Sequence, residues 1–80
     1  MEFVVTVKVL AFASYKEILG FDEIELPLPE SQALGELLKN PRLAALPVNA
    51  MLAVNQRFVG AGEPLCHGDM VALMPPVSGG

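Results

Sequence analysis

The sequence predicts an α+β fold: one mixed β-sheet crossed on one face by a helix, with a flexible Gly-Gly tail leaving the last strand. Three observations predict it. Strand-like apolar runs stand near both ends, at residues 3–10 and 70–74. Between them Leu34, Leu37 and Leu38 fall at i, i+3, i+4, the spacing of one helical stripe. Two prolines, Pro75 and Pro76, then separate the last strand from Val77, Ser78, Gly79 and Gly80.

Each element has a local reason. Residues 3–10 are rich in Val and carry apolar side chains on both parities, which predicts a central strand covered on much of both faces. Residues 11–19 form a short helix that Gly20 closes in a left-handed conformation. Residues 21–28 alternate, with Ile24, Leu26 and Leu28 on one side and Glu23 and Glu25 on the other, so this strand is half-buried. Pro27 and Pro29 stop it, and Ser31 is the N-cap of the next helix. Pro41 ends that helix just after Asn40, because the residue before a proline is pushed out of the helical region.

An irregular stretch follows, through Pro47. Residues 51–56 read as a strand, and Asn55-Gln56 turns it back toward a short partner around Phe58 and Val59. Gly60 and Gly62 break the pattern, and Leu65 places one buried side chain in a loop. His67-Gly68-Asp69 makes a tight turn in which Gly68 takes a positive φ. The order is strand, strand, helix, strand, short strand, strand, a β-grasp arrangement. The first and last strands then lie parallel at the sheet centre. The domain occupies residues 1–75 and the tail residues 76–80.

Composition narrows the function. With 80 residues, 52% of them hydrophobic and 18% charged, the chain makes one small packed domain. The net charge of −4 and the scattered Lys8, Lys16, Lys39, Arg42 and Arg57 argue against nucleic acid. No apolar stretch is long enough for a bilayer, and Met1-Glu2-Phe3 lacks the basic start of a signal peptide. A single cysteine allows no intramolecular disulfide; a cytoplasmic location is expected.

No enzyme motif is present. Cys66 and His67 are neighbours, so on a strand they point to opposite faces, and no third group orients them; a semi-buried thiol and a solvated imidazole in a turn are expected. Gly60-x-Gly62 lacks the strand-to-helix context of a phosphate loop. Glu23 and Glu25 read as the wet face of their strand. Met70 and Met74 share a parity opposite to Val71 and Leu73, so they form either an outward docking patch or a second core layer.

The remaining group is the α-carboxylate of Gly80, the last residue. A carboxylate is a poor acyl donor because its leaving group is oxide. Conversion to a mixed anhydride with AMP solves this, and with no nucleotide site here a partner must perform it. Five residues from Pro76 to Gly80, extended at about 3.1 Å each, reach roughly 15 Å from the domain. The prolines stiffen the base of that reach and lower its ordering cost.

Residues 64–80, ending Pro75-Pro76-Val77-Ser78-Gly79-Gly80, closely resemble the end of the MoaD family, the molybdopterin synthase small subunits. Ala53-Val54-Asn55-Gln56 is similar to that family's central strand and turn, and residues 8–13 to its first strand. Met74 stands where the family often has an aromatic. The resemblance implies a ubiquitin-like β-grasp sulfur carrier of the cytoplasm. In it Gly80 is adenylated and converted to a thiocarboxylate, and Gly79 gives the tail clearance.

The resemblance further implies a partner surface at Met74, Pro75, Pro76, Val77 and Ser78. The implied partners are a MoaE-like large subunit, giving a heterotetrameric synthase, a MoeB-like adenylating enzyme of the ubiquitin-activating type and a sulfur donor system. No cofactor is expected on this chain; ATP is used by the adenylating partner. The sulfur would pass to a cyclic pyranopterin precursor in molybdenum cofactor biosynthesis. The alternatives are a carrier for thiazole or another sulfur pathway, a modifier conjugated to lysines through Gly80, or an interaction module with an inert tail.

Overall fold

The computed structural model describes residues 3–76. Five strands form one mixed sheet: β1 (Val4–Ala11), β2 (Glu23–Pro29), β3 (Met51–Val54), β4 (Arg57–Phe58) and β5 (Met70–Met74). Their order across the sheet is β2-β1-β5-β3-β4. The first and last strands are central and parallel, with Val9 beside Val71 and Ala11 beside Leu73. The other pairings are antiparallel. This is the β-grasp order expected from the sequence.

Two short helices lie on one face of the sheet, α1 (Ser14–Leu19) and α2 (Leu34–Leu37), followed by a 3-10 turn at Pro41–Leu43. Leu34, Leu37 and Leu43 bury completely against Val7, Val9, Val71 and Leu73. Burying each such side chain is worth about 1.5–3 kcal/mol, and Tyr15, Leu26, Leu28 and Leu65 extend the same core. Gly20 closes α1 at φ 83°, in the left-handed region.

Several local expectations are overturned. The first helix starts at Ser14, because Ala11 still pairs with Leu73 in the sheet. Pro27 does not stop β2 but lies within it, opposite Thr6. Thr6 uses its N–H and C=O toward His67 and Gly68, away from β2, so Pro27 turns its ring nitrogen to the outer edge, where no donor is needed. Ser31 is not an N-cap: it sits at φ 72°, and Ala33 occupies the cap position with no side-chain bond.

The N-terminal donors of α2 are met instead by a distant loop. Leu34 N–H donates to the Glu63 carbonyl and Gly35 N–H to that of Ala61, both at 2.8 Å. The helix makes one turn and does not run to Asn40. Asn40 instead starts the 3-10 turn by accepting from Arg42 N–H at 2.8 Å. The strand β1 is central but covered on one face only. Its odd-numbered residues are buried, whereas Thr6, Lys8 and Leu10 are half-buried on a face that no described element covers.

Candidate docking face and tail root

Alternation along four strands builds that uncovered face. Leu10 lies beside Ala72, Ala72 beside Ala53, and Ala53 beside Phe58, so all four side chains project to the same side. Met70 and Met74 flank Ala72 on β5, and Phe12 extends β1 by donating its N–H to the Leu73 carbonyl at 3.1 Å. Together with Gln56 these residues line a groove of about 310 Å³. Phe58 is 68% exposed, Phe12 41% and Met70 40%. Large apolar side chains gathered in one open groove are the kind of patch that marks an interaction site or a ligand groove.

The half of this face nearer β2 is charged. Lys8 stands across from Glu25, and its ammonium lies 3.6 Å from the Glu23 carboxylate. The face is therefore an apolar groove bordered on one side by acidic residues and a lysine. Met70 and Met74 belong to the outward set, on the face that no described element covers. Met74 pairs with Met51 at the last rung of the sheet. Pro75 is half-buried and Pro76 exposed, and neither belongs to a strand or helix. Val77, Ser78, Gly79 and Gly80 lie outside the described residues.

The opposite end of β5 is organised by side-chain hydrogen bonds. Asn55 and Gln56 both take positive φ, 51° and 71°, as a two-residue turn of the primed type requires. Asn55 Nδ2 donates to Asp69 Oδ1 at 3.0 Å, and Asn55 Oδ1 accepts from Met70 N–H at 3.0 Å. The second carboxylate oxygen, Asp69 Oδ2, accepts from Cys66 N–H at 2.8 Å. Gly68, at φ 87°, lets the turn reverse and donates its N–H to the Thr6 carbonyl.

Cys66 and His67 do not form a dyad. The thiol is exposed rather than semi-buried, because Cys66 is held by its backbone, not its side chain. His67 is exposed as expected, yet its Nδ1 accepts from Thr6 N–H at 3.0 Å. The imidazole thus satisfies a β1 donor just before β5 begins. Both residues lie in the turn that precedes β5, and Met74 ends that strand.

Of the groove's lining, the sequence pointed to Met70 and Met74 and missed Leu10, Phe12, Gln56 and Phe58. Only the register β1 to β5 to β3 to β4 brings them together, and no local pattern encodes that register.

The ThiS family matches residues 9–80 of the chain. The molybdopterin synthase sulfur carrier subunit of Escherichia coli (strain K12) is 41% identical, covering 92% of this chain and 99% of its own length. That of Dictyostelium discoideum is 36% identical, covering 91% and 94%. The structure of a putative molybdopterin converting factor, subunit 1, from Pyrococcus furiosus is 32% identical, with a TM-score of 0.82 and coverage of 91% and 99%. The fold is also shared with a chain of the complex of subunits 1 and 2 of molybdopterin-converting factor from Helicobacter pylori 26695. There the identity is 23%, the TM-score 0.65, and the coverage 95% and 100%. On the family match, the identities and the structural likeness, the chain belongs to the ThiS family of ubiquitin-like β-grasp proteins, among the sulfur carriers of the MoaD type.

Proposed function

We propose that this chain is the sulfur-donating small subunit of a molybdopterin synthase, with Gly80 as its acyl carrier. An adenylating partner of the ubiquitin-activating type joins the Gly80 carboxylate to AMP and releases pyrophosphate from ATP. A sulfur donor system then supplies sulfide sulfur, which displaces AMP and leaves a C-terminal thiocarboxylate. The large subunit takes in the tail, and the sulfur passes to a cyclic pyranopterin precursor. Gly79, having no Cβ, lets the tail pass a narrow channel.

The observation that carries this reading is the placement of the tail root. The open apolar groove ends at Met74, and from there the chain leaves the sheet as Pro75-Pro76 toward Gly80. A partner seated on the groove also meets Met74, the residue after which Pro75 and Pro76 begin the tail. The complex of subunits 1 and 2 known for the Helicobacter pylori protein supports a large-subunit partner of this kind.

Intact-mass measurement tests the reading. Protein incubated with the adenylating partner, ATP and the sulfur donor should gain about 16 Da, the difference between sulfur and oxygen in an acyl group used for covalent transfer. Deleting Gly80 should abolish the gain. Persistence of the gain in that variant overturns the assignment of Gly80. Adducts on lysines of other proteins, with no thiocarboxylate, overturn the sulfur-carrier reading in favour of a protein modifier.

A further inference from the structure

Strand β3 separates two apolar grooves. Its alternation sends Ala53 into the open-face groove and Leu52 to the other side of the sheet. There Leu52 joins Leu43, Leu46, Val48 and Ala50 in a second cleft of about 330 Å³. Leu43 is its buried floor, whereas Val48 at the mouth is fully exposed. The cleft is lined only by Leu, Ala, Pro and Val side chains, so it offers nothing to an ion or a polar metabolite.

Its position is informative. Leu52 pairs with Leu73 and Met51 with Met74, so Ala50 stands level with Pro75, where the chain leaves the sheet. Ala50 is itself tied back by its N–H to the Pro47 carbonyl at 3.1 Å, which holds Val48 close to the same exit. The two grooves therefore converge on the tail root from opposite sides of β3. The tail from Pro76 onward spans only roughly 15 Å when extended at about 3.1 Å per residue. A protein that holds Gly80 in a buried site must press against the residues bordering Pro75, and those borders are the two grooves.

We propose that the large-subunit partner closes on both sides of the tail root, seating one of its own apolar side chains in the cleft between Leu43 and Leu52 while it covers the open face. The proposal rests on the sulfur-carrier reading and names a second contact of the same partner. The occupant is apolar protein surface, continuous with the surface over Met74 and Phe58. A second copy of this chain in the cleft would obstruct the tail it needs to expose.

The test is calorimetric titration of this chain with the purified large synthase subunit of the same organism. Val48→Asp should weaken binding tenfold or more with an unchanged thermal midpoint, because Val48 has no buried surface to lose. Val48→Ala should weaken it less. In the unmodified chain, methyl resonances of Val48 and Leu46 should shift on binding, while those of Ile18 on α1 stay in place. Val48→Asp binding within twofold of the parent, while Phe58→Asp binds weakly, overturns the cleft contact alone. Failure of the parent chain to bind at all removes the sulfur-carrier reading, and the cleft contact falls with it.

Discussion

Asn55 and Asp69 are joined side chain to side chain across fourteen positions of sequence, Nδ2 to Oδ1 at 3.0 Å. The bond ties the β3–β4 turn to the start of β5, and the same two residues also hold the Met70 and Cys66 N–H groups. Every strand on the tail side of the sheet is thus anchored at the end remote from the tail.

Replacing Asp69 tests that anchor. Asp69→Ala removes acceptors for Asn55 and Cys66 together and should destabilise the fold by about 0.5–1.5 kcal/mol, the net worth of an intramolecular hydrogen bond where water can reach the freed donors. Asp69→Asn keeps one acceptor oxygen and should lose less. Urea titration followed by circular dichroism orders the three proteins. Equal stability of Asp69→Ala and the parent would falsify the anchoring role.

The turn offers a gain of stability. Gln56 sits at φ 71°, a conformation that costs an L-residue roughly 1 kcal/mol and glycine almost nothing. Gln56→Gly should raise the thermal midpoint by about 4–8 °C per kcal/mol gained in a domain of this size. Because Gln56 also lines the open groove, the same variant should bind the large subunit somewhat less tightly. Calorimetric scanning and titration measure the two effects separately.

Neighbouring residues on β5 should respond in opposite ways. Leu73 is fully buried, and Leu73→Ala should cost about 2–5 kcal/mol through lost contacts and a cavity. Met74, next to it, faces the groove and is half-buried. Met74→Ala should leave folding nearly intact and weaken partner binding. A stability loss at Met74 as large as that at Leu73 would place it in the core.

The outer edge of the sheet carries a prediction about self-association. Pro27 directs its ring nitrogen outward from β2, and Pro29, on the same parity, removes a second donor. Pro27→Val restores an edge N–H that another strand can use. Size-exclusion chromatography at rising concentration should show more dimer for the variant than for the parent.

Much of the fold was legible because its signals are local. The alternation in β5, the Asn55-Gln56 turn, the positive φ of Gly68 and the Leu34–Leu37 stripe each follow from a few adjacent residues. What could not be read depended on tertiary neighbours. Ser31 looked like an N-cap, but α2 takes its capping from the carbonyls of Ala61 and Glu63, so the side chain is not needed there. Pro27 looked like a strand breaker because nothing local says that β2 is the edge. The groove escaped for the same reason, since Leu10 and Phe58 are brought together only by the pairing of four strands.

The parallel pairing of β1 and β5 also has a mechanical consequence. A pull on the tail while the rest of the protein is held near its first strand loads the β1–β5 ladder lengthwise, so its hydrogen bonds must yield in shear together rather than unzip singly. Forced opening is governed by the unfolding rate. A load applied through the end of β5 is therefore shared across the whole β1–β5 ladder, and the sheet resists it as a unit.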